Sequence, residues 1–376
     1  MPGRLSESIL SFIYMFSPAD YAFMSTALRL AEKGLYSTAP NPRVGCVITQ
    51  NEQIVGSGWH ERAGQPHAEI NALNLAGEAA RGATAYVTLE PCSHYGRTPP
   101  CADALIDAGI AKVIIAMEDP NPMVSGRGCA LLERAGITVQ TGLLQTEAHA
   151  LNVGFVTRMI HNRPWVRLKT AASLDGKTAL NNGTSQWITG EAARQDGHRW
   201  RARSCAILTG IGTVKSDNPQ LTVRHVATCR QPKKIVVDSH LAIPLDARLL
   251  QGEEVFIFTA NTENQEKKAA LSRMGAQVIV LPVAVGAVDL GEMMTVLANF
   301  GMNELLVEAG CGLNGALVKA GLVDEMIIFL APHLLGDDAQ GMIKLPELVN
   351  LEQKKALEIM DLRMIGRDIR VIAKCL

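Results

Sequence analysis

The chain has 376 residues, of which 47 % are hydrophobic and 19 % are charged, and its formal net charge is −1. This length exceeds what one compact core usually organises, so we expect two domains with the composition of an ordinary globular protein. The net charge is close to zero and no run of like charges occurs, which disfavours a nucleic-acid-binding protein that holds a polyanion on a basic stripe.

Residues 1–16 are predicted to be an extension that precedes the first domain. They carry one arginine and a short apolar run without a small-residue cleavage site, and this run is too short to span a bilayer. We therefore expect a cytoplasmic protein that binds neither membrane nor nucleic acid. Its cysteines should be reduced, and all except Cys92 and Cys101 are predicted to be small buried hydrophobes or loop residues.

The first half of the chain alternates between helical and strand patterns. Apolar positions at helical spacing predict a helix over 20–34, with Asp20 as its N-cap and Gly34 at its end. This alternation predicts a layered α/β domain with some parallel strand pairing. The further predicted elements are strands at 43–49 and 52–60, a helix at 67–80, a strand at 83–90, a helix at 101–109, a strand at 112–119, a helix at 128–136 and a strand at 137–143.

A second α/β series begins after the sequence Asn-Arg-Pro-Trp at 162–165. We therefore place a domain boundary near residue 160 and predict one domain over 17–162 and another over 163–376. The predicted strands of the second domain are 165–173, 205–213, 233–239, 254–260, 276–282, 303–310, 324–332 and 368–376, and helices are predicted at 191–203 and 264–275.

Cys92 and Cys101 lie near a histidine in a pattern typical of a zinc site. His67 begins a predicted helix, Cys92 follows a predicted strand, and Cys101 begins the next helix. Two thiolates and one imidazole bind zinc and leave a fourth position for water, whose pKa zinc lowers from about 15.7 to about 7. The partial positive charge at helix N-termini favours the thiolate form. We predict one zinc ion per chain, bound by His67, Cys92 and Cys101.

Glu69 is predicted to be the general acid and base of this site. A carboxylate two residues from His67 can take a proton from the water and pass it to a leaving amine. Zinc deaminases carry H-x-E followed by P-C-x-x-C, whereas eight residues separate the two cysteines here. A disulfide between Cys92 and Cys101 is the alternative, which a reducing compartment disfavours.

Five stretches in the first half, TAPNPRVGCV, GSGWH, HAEINAL, LEPCSHYGRTPPC and EDPNP, resemble the deaminase half of the bifunctional riboflavin-biosynthesis deaminase/reductases. In that family the longer cysteine spacing is normal. The resemblance implies a cytidine-deaminase-like, three-layer zinc domain. It also implies that four residues contact a pyrimidine and its ribose phosphate, namely Asn41, His60, Arg97 and Asp119. Asn41 suits a ring amide edge, Arg97 a phosphate and Asp119 hydroxyls.

The second half contains a G-x-G-x-x-G sequence at 310–315, between a predicted strand and a helix. Backbone amides at such a turn can cradle a phosphate. The motif follows several strands, whereas the Rossmann fingerprint marks the first βα turn, so we expect dinucleotide binding without a Rossmann fold. Gly312 and Gly315 could equally be packing glycines.

The stretches SLDGK, TSQWIT, GIGTVxxDNPxLTVR and VEAGxxLNGALVxAGLVDE are similar to the reductase half of the same family, which implies a dihydrofolate-reductase-like fold and NADPH as cofactor. By position, the implied cofactor contacts are Ala171, Trp187, Thr213, Asp217, Ser239, Gly310, Cys311, Gly312, Leu313, Asn314, Gly315 and Ala316. The implied substrate contacts are Lys169, Ser185, Arg201, Leu221, Arg224 and Glu308. Arg201 and Arg224 suit a terminal phosphate, and Glu308 suits an N–H edge of the ring, although composition alone would place Arg201 on a solvated face.

The activity implied by this resemblance has two steps. The first half would hydrolyse the 2-amino group of 2,5-diamino-6-ribosylamino-pyrimidinone 5′-phosphate and release ammonia. The second would transfer hydride from NADPH to C1 of the ribosyl group and so give the ribityl product, with Lys169 and Asp217 as candidate proton donors. The family is commonly oligomeric, which implies a homo-oligomer.

Two other functions are compatible with parts of the sequence. A nucleic-acid deaminase would need a basic, aromatic-rich groove, which 5 % aromatic residues and a charge of −1 disfavour. A binding module with a structural zinc would need a fourth protein ligand, for which His94 is the nearby candidate.

Overall fold

The computed structural model describes residues 16–93, 99–122, 124–252, 254–281, 283–284 and 286–376. The chain divides into two compact units, Met1–Ile160 and His161–Leu376. Within the described ranges no helix is long and apolar enough to cross a membrane.

The first unit is built on a five-stranded sheet of order β2-β1-β3-β4-β5, in which β1 runs antiparallel to β2 and β3 while β3, β4 and β5 are parallel. Its elements are α1 (Pro18–Glu32), β1 (Gly45–Gln50), β2 (Gln53–Trp59), α2 (Ala68–Ala76) followed by a 3-10 turn (Gly77–Ala80), β3 (Thr84–Val87), α3 (Cys101–Asp107), β4 (Lys112–Ile115), α4 (Arg127–Arg134), β5 (Thr138–Thr141), α5 (Gln145–Leu151) and α6 (Val153–His161).

Alternate residues of the central strands face opposite helical layers. Ile48, Val87 and Val113 pack with side chains of α2, α3 and α4, whereas Val47 and Ile114 pack with α1, α5 and α6 on the other face. Because side chains alternate along a strand, each apolar strand covers both faces of the sheet. The predicted α/β layering is therefore confirmed for this unit.

The first helix starts earlier than predicted, and Asp20 is not its N-cap. Ser17 caps the helix: its hydroxyl accepts from the Asp20 amide at 3.2 Å, while the Asp20 carboxylate accepts from the Ser17 amide at 2.7 Å. This reciprocal pair is a capping box, in which the acidic residue occupies the third helical position. The N-cap position that was predicted for Asp20 is therefore occupied by Ser17, three residues earlier.

Two glycines of β2 bring α2 close to the sheet. A Cβ on Gly56 would lie 2.3 Å from the Ala72 carbonyl oxygen, and one on Gly58 would lie 2.7 Å from the Ala68 carbonyl oxygen. Only glycine permits this approach. The close contact fixes the N-terminal turn of α2, which carries His67 and Glu69.

The second unit is built on a nine-stranded sheet of order β11-β10-β9-β8-β14-β6-β15-β18-β17. The strands from β11 to β15 in this order pair in parallel, and β18 and β17 add antiparallel pairs at one edge. Its elements are β6 (Trp165–Ser173), β7 (Lys177–Ala179), α7 (Glu191–Arg203), β8 (Ala206–Gly210), α8 (Ile211–Asp217), β9 (Lys233–Val237), a 3-10 turn (Arg248–Leu250), β10 (Val255–Thr259), α9 (Gln265–Arg273), β11 (Ala276–Val280), β12 (Val283–Ala284), β13 (Ala287–Val288), α10 (Leu290–Asn299), β14 (Glu304–Val307), α11 (Cys311–Lys319), β15 (Glu325–Ala331), β16 (Gln340–Gly341), a 3-10 turn (Leu351–Gln353), β17 (Leu357–Ile365) and β18 (Asp368–Cys375).

The predicted strands and helices of this unit are largely confirmed, but the structure also contains elements that were not predicted, among them the helix α10 and the short strands β7, β12, β13 and β16. The strand predicted over 205–213 ends at Gly210, because α8 begins at Ile211. The edge strand β17 was not predicted, since its residues are mostly exposed and lack the alternation of a half-buried strand.

The amino ends of the central parallel strands are joined by buried ion pairs. Arg167 of β6 pairs with Glu304 of β14, and its Nε lies 2.6 Å from Glu325 of β15. Arg203 at the end of α7 adds a contact of 3.1 Å to Glu304. These contacts lie at the edge of the sheet opposite to the carboxyl ends, where α/β sheets bind ligands.

Candidate functional site

The structure brings the three predicted zinc ligands of the first unit together. His67 precedes α2, Cys92 follows β3, and Cys101 is the first residue of α3. The His67 Nδ1 atom lies 3.2 Å from the Cys101 sulphur and 3.7 Å from the Cys92 sulphur, and the three candidate ligand atoms lie within 4.8 Å of one another. Two sulphurs and one imidazole nitrogen converging in this way fit the donor set of zinc.

Backbone amides at the start of α3 hold the Cys92 sulphur and carbonyl in place. The Cys101 amide donates to the Cys92 sulphur at 3.3 Å, and the Ala102 amide donates to the Cys92 carbonyl at 3.2 Å. A hydrogen bond from the Cys101 thiol lowers the pKa of Cys92 to about 4, whereas the same contact, together with burial, raises the pKa of Cys101. Both cysteines are free thiols, and the Cys92 sulphur has the thiolate character that metal binding requires.

Glu69 lies in the first turn of α2 and only 3 % of it is exposed. Burial raises the pKa of its carboxyl to about 7, and the negative charge of Cys92 adds to this effect. A cation bound by the three ligands would act against the shift. A buried carboxyl whose pKa lies near neutrality is suited to accept and return a proton.

His60 and Asn41 lie next to this cluster and form a pair. The His60 Nδ1–H donates to the Pro66 carbonyl at 3.1 Å, so the neutral ring accepts at Nε2, where the Asn41 amide donates at 3.0 Å. The His60 ring meets that of His67 edge to face at 5.3 Å. Burial lowers the pKa of His60, which matches a neutral ring. Its two nitrogens are thus both occupied, and the contact orients the amide of Asn41.

Asp119 is held to the cysteine segment by Glu90, a residue that the sequence did not single out. The buried Glu90 carboxylate accepts from the amides of Asp119 at 3.1 Å, Gly126 at 3.0 Å, Gly128 at 2.8 Å and Cys129 at 3.3 Å. Asp119 itself accepts from the Asn121 amide at 2.8 Å. A carboxylate two residues before Cys92 thereby fixes the position of the segment that carries Asp119. The predicted residues Arg97 and His94 lie outside the described residues.

The second unit contains a cavity of about 970 Å³ at the carboxyl ends of β6, β8 and β14. The helix α11 starts at its wall, with Gly310 in an extended conformation as N-cap. Such an end presents backbone N–H groups and a partial positive charge to an anion. Fourteen predicted contacts line this cavity: Lys169, Ala171, Ser185, Trp187, Arg201, Thr213, Asp217, Leu221, Arg224, Glu308, Gly310, Cys311, Gly312 and Leu313.

Four predicted cofactor contacts, Ser239, Asn314, Gly315 and Ala316, do not line the cavity. The Asn314 amide, 1 % exposed, donates to the carbonyls of Ala309 at 3.1 Å and Met342 at 3.0 Å. A Cβ on Gly315 would lie 1.9 Å from the Lys344 carbonyl oxygen. The last part of the G-x-G-x-x-G motif therefore packs against the segment 342–344. The Ser239 hydroxyl accepts from the Val288 amide at 3.2 Å.

Arg201 and Glu308 form an ion pair in the cavity wall. The Arg201 Nε and Nη2 atoms lie 2.6 and 2.9 Å from the two carboxylate oxygens, and the Lys169 Nζ lies 3.8 Å from the second. Burial would raise the pKa of Glu308, but the charges of Arg201 and Lys169 outweigh it and lower this pKa to about 2. For Lys169, burial disfavours the charged ammonium and lowers the pKa. The guanidinium predicted for phosphate is thus largely engaged by the carboxylate.

Arg248 and Gln340 line the same cavity, although neither was predicted to contact a ligand. Arg248 begins a 3-10 turn, and the buried Lys234 ammonium donates to the carbonyl of Leu249 within this turn at 2.9 Å and to that of Gln251 just after it at 2.8 Å. No motif marks such a position, because its place depends on a buried lysine fourteen residues earlier in the chain.

A Cys2His cluster beside a buried glutamate is typical of a zinc deaminase, and the second unit offers a Gly-rich cavity large enough for a dinucleotide. Family models match both halves: the cytidine and deoxycytidylate deaminase zinc-binding region covers residues 17–117, and the RibD C-terminal domain covers 164–371. The chain belongs to the RibD family of riboflavin-biosynthesis proteins and is a bifunctional enzyme.

The relatives match over nearly their whole length. The chain is 46 % identical over 364 residues to riboflavin biosynthesis protein RibD of Escherichia coli, covering 93 % of this chain and 98 % of that one. The structure of Acinetobacter baumannii RibD superposes with a TM-score of 0.89 at 44 % identity, over 95 % of this chain and 99 % of that one. A diaminohydroxyphosphoribosylaminopyrimidine deaminase/5-amino-6-(5-phosphoribosylamino)uracil reductase of Thermotoga maritima gives 0.84 at 31 % identity, with the same coverage of both chains.

Proposed function

We propose that the first unit hydrolyses the 2-amino group of 2,5-diamino-6-(ribosylamino)-4(3H)-pyrimidinone 5′-phosphate. The second unit then reduces the ribosyl group with NADPH and yields 5-amino-6-(ribitylamino)uracil 5′-phosphate. The observation that carries the proposal is the convergence of His67, Cys92 and Cys101 beside the buried Glu69. The deaminase domain occupies 17–162 and the reductase domain 163–376.

The first reaction needs a nucleophile and a proton carrier on the same side of the ring. One zinc ion, held by His67, Cys92 and Cys101, supplies an activated water when bound. Glu69 takes the proton and delivers it to the departing amine, because it lies buried beside the ligands and its carboxyl accepts a proton when ionised and donates one once protonated. Asn41, aligned by His60, and Asp119, aligned by Glu90, would hold the ring and sugar, with Arg97 at the phosphate.

The second reaction needs a dinucleotide and a sugar phosphate side by side. NADPH, when bound, supplies the hydride, and its contacts would be Ala171, Trp187, Thr213, Asp217 and the turn from Gly310 to Leu313. The substrate would lie against Lys169, Ser185, Leu221 and Arg224. Glu308 and Arg201 shape this wall as a pair, and a cavity of about 970 Å³ offers room for both molecules.

The first test is an assay of the purified protein with the diaminopyrimidine ribotide. We expect ammonia release followed by NADPH oxidation, with one zinc per chain by elemental analysis. Ammonia release without oxidation would contradict the reductase assignment, and oxidation that precedes ammonia release would contradict the order of steps.

Removal of one zinc ligand should separate the two activities. In Cys101→Ala we expect zinc content and ammonia release to fall to background, since two ligands hold the metal poorly. NADPH oxidation with pre-deaminated substrate should persist. Cys129→Ala is the matched control, because Cys129 is half-buried and burial raises the pKa of its thiol. A Cys101→Ala protein that retained both zinc and ammonia release would contradict the metal site.

The proposed partners are the small pyrimidine ribotide and a second copy of this chain, in a cytoplasmic protein without membrane or nucleic-acid ligands. The edge strand β17 supports self-association, because Ile359, Met360, Leu362 and Met364 are each at least 60 % exposed on it. Exposed apolar edge strands are usually covered by pairing.

We expect light scattering to give a dimer or a higher oligomer for the native chain. Leu362→Lys should shift the mass toward the monomer, and a lysine at the exposed Val280 of the opposite edge strand should not. A native chain that is monomeric at micromolar concentration would contradict this partner.

A further inference from the structure

The segment Leu221–His225 forms a rim of the reductase cavity in an unusual backbone conformation. Leu221 has a φ of 52° and His225 a φ of 64°, and both lie in the left-handed region that non-glycine residues rarely adopt. Leu221 and Arg224 line the cavity. A segment of this kind keeps its shape only when surrounding contacts hold it.

Three consecutive residues of this rim are held by side chains from outside it. The Arg201 Nη1 donates to the Thr222 carbonyl at 2.9 Å. The Gln231 amide group accepts from the Val223 amide at 2.7 Å and donates to the Val223 carbonyl at 3.2 Å. The rim is therefore attached both to the helix α7 and to the chain that precedes β9.

His198 holds the next residue of the rim. It lies on α7, one turn before Arg201, and is 7 % exposed. Its Nδ1 accepts from the Arg224 amide at 3.0 Å, which requires a neutral ring with the proton on Nε2. Burial, together with the nearby Arg201 and Arg224, lowers the pKa of His198 to about 4, so the acceptor is present at neutral pH.

The Arg224 guanidinium projects from this fixed backbone. Its Nη1 donates to the Thr222 hydroxyl at 3.0 Å and to the Gln220 side chain at 3.3 Å. A second cavity of about 410 Å³ adjoins it, lined by His198 and His225 and sharing Arg201, Arg224 and Glu308 with the larger cavity. Rotation of the rim backbone would move the guanidinium relative to both cavities.

We propose that His198 and Gln231 are positioning residues of the reductase site, which fix the Thr222–Arg224 backbone so that Arg224 meets the phosphate of the substrate. This inference rests on the function proposed above, in which Arg224 contacts the substrate. Neither residue takes part in the proposed hydride transfer. Gln231 lines neither cavity.

The test compares His198→Phe with His198→Asn in steady-state NADPH oxidation with pre-deaminated ribotide. Phenylalanine fills the space but leaves the Arg224 amide without an acceptor, so we expect KM for the ribotide to rise about tenfold, the usual effect of one lost hydrogen bond. KM for NADPH should stay unchanged. Asparagine places an oxygen where Nδ1 stood and should restore most of the affinity. His240→Phe, at an exposed histidine of the same unit that lines neither cavity, is the control.

Gln231→Leu provides a second, independent test because it releases the rim from the other side. We expect the same selective rise in KM for the ribotide, with kcat changed less than KM and a melting temperature close to native. Equal effects on both KM values, or no rescue by asparagine, would indicate a merely structural role and overturn the inference. If the native chain itself fails to oxidise NADPH, the proposed function fails instead, so the two failures are distinguishable.

Discussion

Glu69→Gln should abolish ammonia release while the protein keeps its zinc and its reductase activity. Glutamine preserves the shape of the side chain but cannot carry a proton between the attacking water and the leaving amine. General acid and base catalysis contributes about 10²- to 10⁴-fold, and one carboxylate performs both transfers here, so we expect a loss of at least about 10³-fold in kcat.

Three readouts distinguish this loss from misfolding. Zinc content should remain at one ion per chain, because Glu69 is not among the three ligands. NADPH oxidation with pre-deaminated substrate should match the native rate. Glu78→Gln, at an exposed position just after α2, should leave both activities intact. Simultaneous loss of both activities in a folded Glu69→Gln protein would contradict the assignment of two separate sites.

Glu308→Leu should have the reciprocal effect, with loss of NADPH oxidation and normal ammonia release. The substitution leaves the partly buried Arg201 and Lys169 in the cavity wall without their shared carboxylate. Breaking a buried ion pair by removing one partner costs about 3–5 kcal/mol, because the remaining charge is desolvated and uncompensated. Because these three side chains are only partly buried, we expect a smaller fall of about 1–3 kcal/mol in the free energy of unfolding of the reductase unit, measured by urea denaturation.

The pH dependence of stability offers a check on the same pair. The folded-state pKa of Glu308 is lowered to about 2, below the ordinary glutamate value of 4.5. Its contribution is therefore fully present above the ordinary value and is lost as pH falls from there towards 2. Glu308→Leu should remove this part of the acid dependence, whereas Glu263→Leu, at an exposed position, should retain it. Identical acid profiles of the native and Glu308→Leu proteins would contradict the shift.

The zinc cluster was predictable from sequence because each ligand adjoins the end of a regular element. His67 precedes a helix, Cys92 follows a strand and Cys101 begins a helix, so local pattern alone indicated that they could converge. The α/β alternation of both halves was predictable for the same reason, since strand and helix periods are local properties.

The cavity wall of the reductase depends on contacts between distant parts of the chain. Asn314 and Gly315 belong to a sequence typical of a phosphate-binding turn, but in the fold the segment 342–344 packs against both residues. The pairing of Arg201 with Glu308 joins residues more than one hundred positions apart. Glu90 bonds four amides up to thirty-nine residues ahead. Such partners leave no periodic signal, so their roles emerge only when the chain is folded.

The ion pairs of Arg167 with Glu304 and Glu325 have a consequence for how the reductase unit can diversify. They join three neighbouring strands at one end of the sheet, while the loops that line the cavity leave the other end. Changes in loop length or composition therefore leave the attachment of the strands to one another intact. Changes in the loops can therefore alter substrate preference with little effect on folding. Loss of Arg167 or of either glutamate alone would instead leave a charge without its partner between the strands.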